Sequence, residues 1–339
     1  MANEILCDLV LLTWNGFHLL EPCVRSLFRC TDLSCRLIVV DNGSTDPETL
    51  AYLRSLPEKS SMPVQVLHLP ENRCIASALN EGLRQTSAPW ICLLNNDLLV
   101  TPGWLTEMLR VAQTHPQIGL LNPMSNQFGV VPDPPEAVDN LAETLLKREQ
   151  GRWLEEWNCV GFCMLLPRSV FEKVGLLDEE FRPFFFEDTD YAMKVRAAGW
   201  ICAIAKGAYV YHHQGGTLRL DPARTEQFLR NRERFHKKWK LPQPMSYGWI
   251  LGAGGEKLEN AFKEIRQLAN QGHDLWVLHT QKGLRLAPHY RIFERSVPSY
   301  LLPWKALRLL LLKKKRIDRL VTDIPWLAKA FRGRIAEYR

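Results

Sequence analysis

The stretch PWICLLNNDLLVTPGWL, Pro89 to Leu105, is apolar from Trp90 to Leu94, stops on Asn95, Asn96 and Asp97, and turns apolar again at Leu98. A short apolar run of this kind reads as a buried strand. Three consecutive polar side chains at its end cannot all face a core. In an open sheet of parallel strands they need not, because the crevice beyond the carboxyl ends of the strands is where ligands sit. The flanking sequence decides whether such a sheet exists.

Working outward, strands and helices alternate. ILCDLVLLT reads as a strand, and HLLEPCVRSLFRC carries Leu19, Leu20, Val24, Leu27 and Phe28 at helical spacing. RLIVVD is a second strand, stopped by the turn signal NGSTDP. A helix near Glu48 to Leu56, the strand VQVLHL and the helix IASALNEGLRQT lead to WICLLN. PGWLTEMLRVAQTH opens with proline in its first turn and reads as a helix, and IGLLNP follows as a strand. This order predicts an α/β fold with a mostly parallel sheet flanked by helices.

The next section is less regular. VPDPPEAVDN reads as a loop, Leu141 to Glu149 as a helix, CVGFCMLLP as a strand and RSVFEKVG as a short helix. YAMKVRAAG is helical, WICAIA and AYVYHH read as two strands, and Pro222 to Lys240 is a charged helix. The composition changes near Pro242. The expected organisation is a main domain over 1–241, a small α/β extension over 242–300 and a basic amphipathic helical tail over 301–339.

The net charge of +6 resides in that tail, where residues 301–339 carry +8 and the other 300 carry −2. It therefore says nothing about the main domain. Nine cysteines without C-x-x-C or zinc-ligand spacing argue for a reducing compartment and against a structural metal cluster. Ile5 to Leu12 is short and interrupted by Asp8, unlike a signal peptide, and no apolar run reaches the roughly 20 residues of a membrane span. The expected location is the cytoplasm.

Four polar clusters follow strands or open helices: Asp41 with its turn, Asn95 to Asp97, Glu187 to Asp190, and His212 with His213. Each alone has a plain reading as a turn, a cap, a helix-start acid or a strand-end histidine. Their order and spacing carry more. From about Leu9 to Thr217 the motifs LVLLTWNG, RLIVVDNGSTD, ENRCIASALNEGL, WICLLNNDLLVTPGWL, VGFCMLLPRSVFEKVGLLDEEFRPFFFEDTDYAMKVRAAGW and AYVYHHQGGT occur in sequence. In that order they resemble the family 2 inverting glycosyltransferases, in particular a rhamnosyltransferase-like branch.

The resemblance implies the GT-A fold and a nucleotide-diphosphate sugar donor, a dTDP- or UDP-sugar. It gives Asp41 to the base or ribose, Thr13 and Asn15 to the nucleotide pocket, and Asn72 and Asn80 to polar positions around it. Gly43 would let the chain turn close to the ligand. Asn95, Asn96 and Asp97 match the family's D-x-D motif, with Asn95 in place of the first carboxylate. Asp97 is then the direct ligand of Mn²⁺ or Mg²⁺, and Asn95 reaches the ribose or a metal-bound water. His212, favoured over His213, completes metal or diphosphate contact, a role for which its spacing to Gly215, Gly216 and Thr217 fits.

FEDTD matches the catalytic-base segment. Asp188 is assigned as the base that deprotonates the acceptor hydroxyl, with Glu187 the runner-up and Asp190 a support of the helix start or of the acceptor pocket. VGFCM matches a floor strand where Gly161 leaves room for a sugar. Trp157, Phe184 and Phe185 either stack on acceptor sugars or are ordinary core aromatics.

Residues 243–339 lie outside the resemblance. YGWILGAGGEKLENAFKEIRQLANQGHDLWVLHT reads as strand, glycine turn, helix and strand. In the tail, a helix would put Trp304, Leu307, Leu310 and Leu311 on one side near Lys313 to Arg316. Such a helix either lies on an anionic membrane surface at the inner face or packs on its own domain. The expected acceptor is a glycan or a lipid-linked glycan of surface polysaccharide synthesis. Nucleic acid is not expected as a partner. Two other classes are carried: a nucleotidyltransferase, which TWNGF argues against because it is not a basic phosphate loop, and a noncatalytic sugar- or lipid-binding module, which retention of Asp97 and Asp188 argues against.

Overall fold

The computed structural model describes residues 4–133, 137–213, 222–241, 245–252, 256–281, 291–311, 317–332 and 336–338. The chain forms two compact units. The first comprises Met1–Asn126 with Val130–Phe235, and the second Gln127–Gly129 with His236–Arg339.

In the first unit the elements are β1 (Cys7–Thr13), α1 (Phe17–Cys30), β2 (Cys35–Asp41), α2 (Pro47–Lys59), β3 (Val64–His68), α3 (Ile75–Arg84), β4 (Trp90–Asn95), β5 (Leu98–Val100), α4 (Trp104–Thr114), β6 (Ile118–Met124), α5 (Val138–Glu149), β7 (Trp153–Glu156), β8 (Cys163–Pro167), α6 (Arg168–Val174), α7 (Glu187–Ala197), β9 (Ile201–His212) and α8 (Pro222–Lys238). The nine strands form one sheet in the order β3-β2-β1-β4-β8-β6-β9-β5, with β7 also on β9. β3, β2, β1 and β4 run parallel, β8 runs antiparallel between β4 and β6, and β6 and β9 are parallel. This is the mostly parallel, helix-flanked sheet expected. Val10, Ile38, Val40, Leu93 and Met164 of the sheet pack with Leu79 and Leu83 of α3 and Val195 of α7 in one buried cluster.

The parallel strands end in register. Asp41 is paired with His68 on one side and Thr13 on the other, and Leu12 is paired with Asn95. His68, Asp41, Thr13 and the Asn95–Asn96 step thus form a row along the carboxyl edge, the ligand edge of such a sheet.

Several local features differ from expectation. WICAIA and AYVYHH form one 12-residue strand, β9. Gly207 in its middle is no turn; a Cβ there would lie 2.8 Å from Glu107 Oε1, so the glycine serves close approach. Val160 to Phe162, expected in a strand, precede β8 in a loop. β5 and β7 went unread because three or four residues are too few to show a period.

The second unit contains β10 (Ser246–Leu251), α9 (Glu256–Asn270), β11 (Asp274–His279), β12 (Ile292–Ser296), α10 (Leu302–Leu311), β13 (Arg319–Thr322), α11 (Pro325–Ala330) and β14 (Ala336–Tyr338). Its five strands are all parallel, in the order β12-β11-β10-β13-β14. The strand, helix and strand read from residues 247–280 are present as β10, α9 and β11. Residues 301–339 do not form a helical tail, because β13 and β14 complete this sheet. Within α10 the expected grouping also changes: Leu310 packs with Leu302 and Ala306 in an apolar cluster, while Trp304 (75% exposed) and Leu311 face out. The basic run Lys313 to Arg316, the Gly215–Thr217 segment and residues 253–255 of the GAGGEK turn lie outside the described residues. No described helix is long and apolar enough to cross a membrane.

Candidate active site

The end of β4 and the end of β9 are brought together by β5. Leu98 is paired with His212, and the His213 amide donates to the Asp97 carbonyl at 2.9 Å. The side chains follow: His212 Nε2 lies 3.0 Å from Asp97 Oδ1, with Asp97 7% and His212 5% exposed. Asp97 Oδ1 accepts no aligned hydrogen bond although it is buried, and His212 Nδ1 is likewise buried without a partner. An orphaned carboxylate oxygen facing an imidazole nitrogen is a costly arrangement by itself. It fits a divalent cation held by one oxygen and one nitrogen of the protein. Among the described residues no group of three or more His, Cys, Asp or Glu could hold a metal. The pair fits a cation only if other oxygens, such as those of a diphosphate, complete its shell.

The histidine is held from two sides. Asn126 donates its amide to the His212 carbonyl and accepts from the His212 amide, both at 2.8 Å. The imidazole stacks on the Phe162 ring, with centroids 5.3 Å apart and planes 15° apart. Beside Phe162, the Gly161 amide donates to Asp188 Oδ2 at 2.9 Å. Asp97, His212, Phe162, Gly161 and Asp188 are therefore one unbroken run of contacts. A Cβ at Gly161 would lie 3.3 Å from Asp188 Cβ, so the missing side chain gives its room to Asp188.

α7 begins at Glu187, so EDTD is its first turn. Asp188 Oδ1 accepts from the Thr189 amide at 2.6 Å and its hydroxyl at 3.2 Å. Burial pushes the Asp188 carboxyl up, and the hydrogen bonds from Gly161 and Thr189 oppose that rise. Nothing offsets burial as well for Glu187. Its Oε2 is buried without a partner, and burial, with the adjacent Asp188 charge, pushes its carboxyl up to about 8. The two neighbours differ in what opposes burial: Asp188 is met by three hydrogen-bond donors, while Glu187 is left with an unpartnered buried oxygen.

At the row of strand ends, Asn96 Nδ2 donates to Thr13 Oγ1 at 2.9 Å. Asp41 is only 2% exposed; one oxygen accepts from the Ser44 amide and the other lies 2.9 Å from His68 Nδ1. Asn15 (φ 51°) accepts from the Thr45 and Asp46 amides, so its carbonyl shapes the turn. Asn72 Oδ1 accepts from Asn42, whose side chain also donates to the Arg73 carbonyl and accepts its amide. Gly43 (φ +73°) makes its close approach to the backbone of Glu71 and Asn72, where a Cβ would fall within 2.4 Å, rather than to a ligand.

Asn80 stands apart. It is 1% exposed, and its amide bridges Leu177 N, Leu177 O and Glu179 Oε1 at 2.9–3.0 Å. It joins α3 to the 177–179 segment and does not face the row. Trp157 meets Phe235 edge-on at 6.3 Å, while Phe184 and Phe185 pair at 4.8 Å and Phe185 meets Phe228 at 5.5 Å. All three aromatics join the packing against α8.

Sequence reasoning missed Asn122, Asn126, Phe162 and His68. Asn122 is buried and binds the Val160 amide and the Val160 and Cys163 carbonyls, fixing the loop that presents Gly161. The only signal for His68 was its place at the end of the third apolar run.

The chain is 27% identical over 258 residues to an uncharacterized protein of Sinorhizobium fredii, a match covering 71% of this chain and 28% of that protein. The chain thus spans less than a third of that relative. It is 26% identical over 247 residues to the N-acetylglucosaminyl-diphospho-decaprenol L-rhamnosyltransferase of Mycobacterium tuberculosis, covering 63% of this chain and 78% of that enzyme. Among solved structures it shares its fold with a mannosyltransferase of Pyrobaculum calidifontis in complex with GDP-Man and Mn²⁺, at TM-score 0.56 and 15% identity, over 98% of this chain and 80% of that one. Residues 8–175, from β1 to the end of α6, match the model of glycosyl transferase family 2.

Proposed function

We propose that this chain moves a sugar from a nucleoside-diphosphate donor, a dTDP- or UDP-sugar, to a hydroxyl of a glycan or lipid-linked acceptor, with inversion at the anomeric carbon. The observation that carries the reading is the run of contacts from Asp97 through His212, Phe162 and Gly161 to Asp188. It joins a cation-type pair to a carboxylate met by three hydrogen-bond donors within one small region, at the ligand edge of the sheet.

Thr13, Asp41 with His68, and Asn96 form the donor edge, where a carboxylate and amides meet the N–H and O–H groups of a nucleoside. Asp97 and His212 would hold Mn²⁺ or Mg²⁺ against the diphosphate; when bound, the ion supplies Lewis-acid charge at the departing phosphate oxygens. Asp188 accepts the proton of the acceptor hydroxyl as that oxygen attacks the anomeric carbon. Its anion is held by three donors, which leaves lone-pair capacity for the hydroxyl. Glu187 keeps its proton in the neutral range and is the poorer base.

The acceptor would be lipid-linked, as the name of the mycobacterial relative says of that enzyme, and the work would take place at the cytoplasmic face of a membrane. The outward Tyr300, Trp304, Arg308 and Leu311 support surface contact there, since tyrosine, tryptophan and arginine suit an anionic interface. The test is a thermal-shift panel of dTDP- and UDP-sugars with and without Mn²⁺, followed by Asp188→Asn. The variant should bind the stabilising donor as before and lose transfer; unchanged transfer would remove Asp188 as the base.

A further inference from the structure

Asp188 enters its helix through a strained turn. Phe185 (φ 77°) and Phe186 (φ 73°) both have left-handed backbones, immediately before Glu187. Bulky residues avoid this region because of steric strain. Two in succession persist only where outside contacts over-determine them.

Those contacts come from one face of α8. Gln227, Asn231 and Arg234 are spaced i, i+4, i+7 and so lie in line along the helix. Gln227 donates to the Arg182 carbonyl, and Arg234 to the Glu180 carbonyl. Asn231, 3% exposed, presents its amide nitrogen to three carbonyls: Phe184 at 2.9 Å, Phe185 at 3.0 Å and Arg182 at 3.3 Å. The Pro183 carbonyl accepts from the Ile75 amide at the start of α3, and Phe186 from Asp190 within α7. Every carbonyl from 182 to 186 is thus satisfied, most of them by α8. Phe228 and Phe235, one residue on from Gln227 and Arg234, pack on Phe185 and Phe186. Packing alone would be served by an apolar residue at 231, since a buried amide is costly unless matched.

We propose that Asn231, with Gln227 beside it, is a positioning residue for glycosyl transfer: it locks the left-handed Phe185–Phe186 turn and thereby sets where the Asp188 carboxylate stands. The inference rests on the reading of Asp188 as the base. Asp188 is then fixed at its tip by the Gly161 amide, and the turn that leads into its helix is fixed by Asn231.

The test uses the full chain and whichever dTDP- or UDP-sugar stabilises it with Mn²⁺, reading nucleoside diphosphate release together with hydrogen exchange of amides 184–190. Asn231→Leu keeps volume and removes the donors. It should leave the donor KM within about twofold, lower kcat about 100-fold, the scale of a misplaced reacting group, and speed exchange in 184–190 without speeding it in the sheet. Should Asn231→Leu fail to fold, Gln227→Leu, which removes one of the two donors on the Arg182 carbonyl, should lower kcat about 10-fold at constant KM. Wild-type kcat in the folded variant, or a rise in KM with kcat unchanged, overturns the positioning role. If Asp188→Asn is inactive while Asn231→Leu is normal, only this inference falls; turnover surviving Asp188→Asn removes the base assignment and the inference with it.

Discussion

The Gly161 amide donates to Asp188 Oδ2 at 2.9 Å, and the absence of a side chain at 161 is what lets the carboxylate come so near. A Cβ would lie 3.3 Å from Asp188 Cβ and 3.4 Å from Oδ2, so Asp188 must yield by a few tenths of an ångström. Gly161→Ala should therefore keep the fold, with stability changed by about 1 kcal/mol or less, and lower kcat several-fold at unchanged donor affinity. Donor titration by calorimetry beside initial rates separates the two. Equal losses in binding and rate would show that Gly161 faces the donor instead.

The pair Glu187–Asp188 gives the protein a pH-dependent weakness. The Glu187 carboxyl is raised from 4.5 to about 8 in the fold. Between those values the folded state binds more protons than the unfolded one, so this group's contribution to stability falls as pH rises from about 4.5 to 8. Glu187→Gln removes the ionisation. The variant should match the parent in Tm near pH 5 and exceed it progressively toward pH 8. A Tm difference constant across that range would mean Glu187 ionises normally.

Asn80 separates a structural role from a ligand role. Its amide satisfies both backbone groups of Leu177. Asn80→Ala leaves these buried groups unmatched and should cost about 1–3 kcal/mol, measured by urea unfolding, with donor affinity unchanged. A large loss of donor affinity at little cost in stability would return Asn80 to the donor pocket.

The four parallel strand ends were legible because apolar runs stopping on Thr13, Asp41 and Asn95 carry their meaning locally: burial ends where polarity begins. The meeting of Asp97 with His212 was expected only through the family resemblance, because the strand that joins them, β5, is three residues long. The asparagines were not legible at all. Asn122, Asn126 and Asn231 act on backbone groups 38 to 41, 86 and 46 to 49 residues away, and a backbone carbonyl leaves no mark in a sequence. Phe185 and Phe186 show the same limit, since their left-handed turn is imposed by α8 and contradicts their own preferences.

The Asp97–His212 pair makes a prediction about order of binding. Two protein ligands leave most of a cation's shell open, so the ion alone should bind weakly. Mn²⁺ without nucleotide should shift Tm little; Mn²⁺ with UDP or dTDP should shift it more than the sum of each alone, because the diphosphate completes the shell. His212→Ala and Asp97→Asn should each abolish the synergy while leaving the metal-free nucleotide shift in place. His213→Ala serves as the control and should retain it. Full synergy in both site variants would place the cation elsewhere, and the orphaned oxygen of Asp97 would then need another partner.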